Sequence, residues 1–120
     1  GSSTPTQAQG AAVEFVYAAT YPENKRVFLP NETFGLALGF QNVGTVPLSG
    51  CLIKLVNFSG EDTVDDQASS DKVVAPGEKI EFNLAAFGSE LLGAHTWVFQ
   101  LYCSPGAIPG GVGVFTYTSE

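Results

Sequence analysis

Phe34-Gly35-Leu36-Ala37-Leu38-Gly39-Phe40 is the stretch on which the fold class turns. Large apolar residues occupy every second position, and glycine or alanine fills the places between. A period of two marks a β-strand with one buried face. The small residues on the other face indicate that something packs close on that side as well. The same alternation recurs outward from this segment. Ile80, Phe82 and Leu84 alternate with Lys79, Glu81 and Asn83. Trp97, Phe99, Leu101 and Cys103 form one face of a strand, with Val98, Gln100 and Tyr102 on the other. Cys51, Ile53 and Leu55 share a face, as do Val13, Phe15 and Tyr17 near the N-terminus. A last strand is expected from about Gly111 to Thr118.

Turn signals separate these segments. Pro22-Glu23-Asn24-Lys25, Asn42-Val43-Gly44-Thr45-Val46-Pro47, Ala75-Pro76-Gly77-Glu78 and Ser104-Pro105-Gly106 are Gly/Pro/Asn-rich breaks. Ser59 to Ser70 is polar and without period, a loop or a ragged edge. Glu90-Leu91-Leu92 is the one helix-like fragment, and Gly88 and Gly93 bound it. Short strands joined by such turns predict an all-β domain, an immunoglobulin-like antiparallel β-sandwich of about seven strands, with a small barrel as the alternative. Trp97 shares its face with Phe99 and Leu101 and is expected in the core.

The 120 residues make one domain. Residues 1–10 (GSSTPTQAQG) hold no large apolar side chain and read as a flexible linker, with residues 11–120 as the domain. Five basic against twelve acidic residues give a net charge of −7. That balance disfavours nucleic acid, whose binding begins with neutralised phosphates. Hydrophobic residues make 44% of the chain, which excludes disorder, and no apolar run is long enough to span a membrane as a helix.

Two cysteines, Cys51 and Cys103, continue buried series on their strands, so a disulfide between them is expected; two buried free thiols are the other option. A bridge across a loop of this length stabilises by about 4 kcal/mol in the chain-entropy model. It points to an extracellular or cell-surface home.

The inventory for catalysis is thin. The one histidine, His95, has no recognisable nucleophile or orienting carboxylate near it in sequence, and it reads as an exposed or hydrogen-bonded residue near a strand end. Gly110-Gly111-Val112-Gly113 leads into a strand, unlike a phosphate loop, and reads as a turn or bulge. No cofactor is implied, and the domain is expected not to be an enzyme. The acidic segment Glu61, Asp62, Asp65, Asp66, Asp71 is a solvated loop on its plainest reading. Asp62, Asp65 and Asp66 are its weak calcium candidates, because their spacing fits no EF-hand. Asn31-Glu32-Thr33 and Asn57-Phe58-Ser59 fit the glycan acceptor pattern.

Glu14-Phe15-Val16, Thr20 to Asn24, Leu29 to Phe34, Phe40-Gln41-Asn42-Val43-Gly44-Thr45, Val74 to Glu78 and Gly93 to Leu101 together resemble the four-tryptophan Ig-like domain of an autophagy cargo receptor and of bacterial surface proteins. Where that family carries its tryptophans this chain has Leu38, Leu48, Phe99 and Phe115. The resemblance implies a noncatalytic adhesion, spacer or scaffold module, often appended to larger surface proteins. The partner is then a protein or a second copy, or a glycan, and the residues 1–10 would tether the domain to a membrane. Two alternatives stay open. One is a self-assembling filament or pilus-like subunit that uses Val13, Phe15 and Tyr17 for strand addition. The other is a carbohydrate-binding module built on exposed aromatics among Tyr21, Tyr102 and Tyr117.

Overall fold

The computed structural model describes residues 10–104 and 106–120. Eight strands follow one another: β1 (Val13–Tyr21), β2 (Val27–Phe28), β3 (Thr33–Asn42), β4 (Cys51–Ser59), β5 (Gln67–Ser70), β6 (Lys79–Phe87), β7 (Gly93–Cys103) and β8 (Gly106–Ser119). They form two sheets, ordered β1-β3-β6 and β2-β8-β7-β4-β5. Every pairing is antiparallel except β2 with β8. This is the Ig-like β-sandwich read from the sequence. The count exceeds seven because β2 and β5, at 2 and 4 residues, are too short to show alternation. Among the described residues no helix is long and apolar enough to cross a membrane.

The core lies between the sheets. Leu36, Leu38, Phe40, Phe82 and Leu84 face Ile53, Trp97, Phe99, Leu101 and Phe115, all buried. Phe34 stacks on Phe28 at 3.8 Å and lies 6.3 Å from Trp97, which is fully buried. Leu38, Leu48, Phe99 and Phe115 are all buried in the core. Cys51 and Cys103 are joined by a disulfide that links β4 to its neighbour β7.

One expected face is split. β1 carries a bulge between Phe15 and Tyr17, so Val16 is an extra residue in its pairing with β3. Val13 and Phe15 point into the core, and the Phe15 ring lies 5.4 Å from that of Phe40. Tyr17 emerges on the outer face. Val13, Phe15 and Tyr17 therefore do not form one surface, because a single inserted residue inverts every side chain beyond it. After the bulge Ala18 and Thr20 take the inward places. The expected linker lies outside the described residues except for Gly10, whose carbonyl accepts from the Thr45 N–H at 2.8 Å.

Candidate functional site

The buried polar groups are committed to the fold. His95 is 2% exposed near the start of β7. Its Nδ1 accepts from the Glu61 N–H at 2.9 Å, so Nε2 carries the hydrogen and donates to the Leu91 carbonyl at 2.6 Å. Its ring stacks on Tyr117 at 5.2 Å. The Trp97 indole N–H donates to the Glu61 carbonyl at 3.0 Å. Gly60 makes this clamp possible: its φ is +86°, and a Cβ there would lie 2.2 Å from the imidazole Nδ1. The Tyr117 hydroxyl accepts from the Ser89 N–H at 3.0 Å, and the Ser89 hydroxyl bonds the Glu61 carboxylate. At the other pole Asn42 is fully buried. Its amide donates to the carbonyls of Val46 and Val74, and its side-chain oxygen accepts from the Gly44 N–H. One side chain thus ties two loops, which satisfies all its polar atoms in the interior. Each of these groups braces a loop, and among the described residues both His95 ring nitrogens bond backbone, not a carboxylate or hydroxyl of the kind a triad needs.

The acidic segment is structured where it meets β6. Asp65 N–H donates to the Ala85 carbonyl at 3.0 Å, and the Asp65 carboxylate accepts from the Ala85 N–H at 2.9 Å. Thr63 O accepts from the Phe87 N–H at 2.9 Å. The segment is thus a cover along the edge of β6. Among the described residues no three of His, Cys, Asp and Glu gather as metal ligands, so Asp62, Asp65 and Asp66 are not brought together.

Two outer surfaces remain. On the three-stranded sheet, Tyr17 pairs across the ladder with Gly39 and Tyr21 with Gly35. A Cβ at either glycine would sit 2.1–2.2 Å from the ring. The small residues of β3 are therefore roofed by tyrosines, an aromatic–glycine pairing that repairs the weakness of glycine in a strand. Both rings cross β3 to reach β6. Tyr17 donates to the Glu81 carboxylate, and Tyr21 donates to the Asn83 side-chain oxygen at 3.3 Å. Glu81 pushes the Tyr17 hydroxyl up to about 12, first by accepting its hydrogen bond and then, after the desolvation, by its charge. Tyr17 and Tyr21 are 39% and 43% exposed. Beside Tyr21 a groove of about 560 Å³ runs between Gly35, Ala85 and Phe87 towards Asp62 and Asp65. Of the other tyrosines considered as platforms, Tyr117 is buried and Tyr102 half-buried.

The second surface is the β7–β8 hairpin. From Leu91 to Ser119 the sequence contains no Asp, Glu, Lys or Arg, a signal legible without a structure. Outward on the five-stranded sheet stand Val98, Gln100, Val112, Val114 and the Thr96–Thr116 pair, whose hydroxyls are 3.0 Å apart. The sequon residue Asn57 lies opposite Val98 on β4, and Asn31 sits in an exposed turn with its amide on Glu90.

No protein-family model matches the chain, and no curated protein matches it. Solved structures do share the fold. The CARDB domain of a Pyrococcus furiosus protein, crystallised in complex with di-metal ions, superposes with a TM-score of 0.66 at 9% identity, over 93% of this chain and 90% of that one. A Niemann-Pick type C2 protein from Japanese carpenter ant gives 0.55 at 8% identity, covering 92% of this chain and 95% of that one. Native alpha-2-macroglobulin from Escherichia coli gives 0.58 at 16% identity, covering 92% of this chain and 17% of that one. At these identities the likeness is one of fold. The chain has an Ig-like β-sandwich fold, which it shares with the CARDB domain.

Proposed function

We propose that the domain is a noncatalytic structural or protein-interaction module that works outside the cell or on its surface. The observation that carries this reading is where the reactive groups go. Both nitrogens of the one histidine bond backbone, and both cysteines are spent on the β4–β7 disulfide. What is left for function is the outer surface of a filled sandwich. The disulfide supports the compartment, because such bonds persist in oxidising surroundings. The likeness of the turns to the four-tryptophan Ig-like domain supports the same class of role. The test is made on native cells. Cys51 and Cys103 should resist alkylation until a reductant is added, and an impermeant label should reach the domain on intact cells. Alkylation of both thiols in freshly isolated protein, with the domain shielded from the label, would overturn the assignment.

A second reading is favoured by the Tyr17–Tyr21 face. Two tyrosines held on one sheet surface, beside a groove with Asp62 and Asp65, are the kind of aromatic and polar set on which a carbohydrate stacks. A glycan array with the native chain and Tyr21→Ala checks it. Binding lost in the variant supports the sugar platform, and a blank array removes it.

A further inference from the structure

The outer face of the three-stranded sheet sets aromatic groups on one side and acidic groups on the other. Along β1 stand Tyr17 and Tyr21, about 13 Å apart at the usual rise of a strand. Their rings lie down on the sheet. Each would collide with a Cβ at the glycine across the ladder, and Ala37, between those glycines on the same face, is only 6% exposed. Hydrogen bonds from the hydroxyls to Glu81 and Asn83 pin the far ends of the rings. One face of each ring is thus spent on the sheet, and the other is turned outward in a fixed plane.

Carboxylates run along the opposite side, on and beside β6. Glu81 lies at the Tyr17 ring, and Asp65 accepts from the Ala85 N–H through one of its two oxygens. Asp62 joins Asp65 at the groove of about 560 Å³, which Gly35 and Ala85 line together with the exposed rings of Tyr21 and Phe87. Among the described residues no Lys or Arg lines that groove. Lys25 and Arg26, the cations closest to Tyr21 in the chain, are held elsewhere, Lys25 by Glu32 at 2.7 Å and Arg26 at the Ala18 carbonyl. Lys79 stands at the far end of the face, opposite Gln41.

We propose that this face binds a chain of amino sugars with free amines, laid from the groove at Tyr21 towards Tyr17. The inference rests on the sugar platform proposed for the same two tyrosines and names its ligand class. The outward face of an aromatic ring is negative, so it takes the apolar C–H side of a pyranose or a cation. The separation of the two rings calls for a chain, because a single sugar cannot reach both. Charge selects the amine. An ammonium on the sugar beside Tyr21 meets Asp62 and Asp65, and it can also lie over the ring. Uronic or sulfated sugars would bring anions to a groove that holds carboxylates and no cation, in a chain of net charge −7. A neutral chain stacks as well but gains nothing from the two aspartates. Asp62 and Asp65 are exposed, so each adds roughly twofold to fivefold in affinity, and the gain falls with salt.

Calorimetric titration of the native chain tests it, with oligomers of glucosamine, glucose and galacturonate of equal length, at mildly acidic pH where the amines carry protons. The glucosamine chain should bind most tightly, the glucose chain several-fold more weakly and the galacturonate chain not at all. Asp62→Asn and Asp65→Asn should each weaken the glucosamine chain and leave the glucose chain unchanged; the asparagine at 65 keeps an acceptor for the Ala85 N–H. Tyr21→Ala should weaken both. Asp71→Asn, beyond β5, controls for general attraction to an acidic protein and should change neither. Equal or tighter binding of the glucose or galacturonate chain overturns the amine assignment and leaves the sugar platform standing. A loss in Asp71→Asn as large as at Asp62 or Asp65 overturns it as well. Binding of none of the three removes the platform and the assignment together.

Discussion

β1 and β8 stand side by side along one flank of the sandwich, each the edge of a different sheet, and they are treated differently. β1 bends at a bulge, and Arg26 and Asn24 occupy its outer backbone groups at Ala18 and Thr20. β8 pairs with β2 only at Thr118 and Ser119, and beyond that β1 flanks it, with the Val13 carbonyl beside Gly110, the Phe15 ring beside Gly113 and the Arg26 guanidinium over the Phe115 ring. The contrast teaches that exposure of a strand edge is not enough to make it a pairing site. Strand addition read from apolar alternation alone falls on Val13, Phe15 and Tyr17, yet that strand carries the protection.

The largest change breaks the frame on which both edges hang. Trp97→Ala removes a fully buried side chain that touches both sheets and should cost about 3–5 kcal/mol. Urea unfolding measures it, and an unchanged midpoint would show that the core is elsewhere. The next acts on the β8 sheet alone. Cys51→Ala with Cys103→Ala opens a loop spanning a sequence separation of 52 and should cost about 2–4 kcal/mol, read from the same curves. Arg26→Gln sharpens the comparison directly. It removes the cap from β1 and the guanidinium that lies 4.9 Å over the Phe115 ring. A loss of about 1 kcal/mol is expected, together with new association through β1.

The smallest effect concerns Tyr17. Its folded pKa is raised from 10.0 to about 12, so the neutral hydroxyl is the form the fold favours. The stabilisation is therefore fully present below pH 10 and is lost as pH rises through about 12. A spectrophotometric titration should show a tyrosine step there that Glu81→Gln moves back towards 10.0, with little change in melting at neutral pH.

The fold was legible where side chains report burial by alternation. The core faces of β3, β6 and β7 could be read from Phe34 to Phe40, Ile80 to Leu84 and Trp97 to Cys103, and the disulfide followed from cysteines that continue such faces. The roof over Gly35 and Gly39 was legible as a need for close packing, but not as Tyr17 and Tyr21. The bulge at Val16 leaves no local signature, because an inserted apolar residue preserves the look of the alternation while inverting the face. His95 and Asn42 have partners in loops distant in sequence, so their roles as braces had no local trace beyond the Asn42-Val43-Gly44 turn. The uncharged run from Leu91 to Ser119 was visible in the sequence. Only the structure shows that β2 pairs with the end of β8 and that β1 flanks the rest of it.

Amide hydrogen exchange at Thr20, in the native chain and in Asn24→Ala, tests most directly that side chains cap the outer backbone of β1. The Thr20 amide, held by Asn24, should be protected in the native chain and exchange freely in the variant. Free exchange at Thr20 in the native chain, or protection that survives the loss of Asn24, would contradict the account.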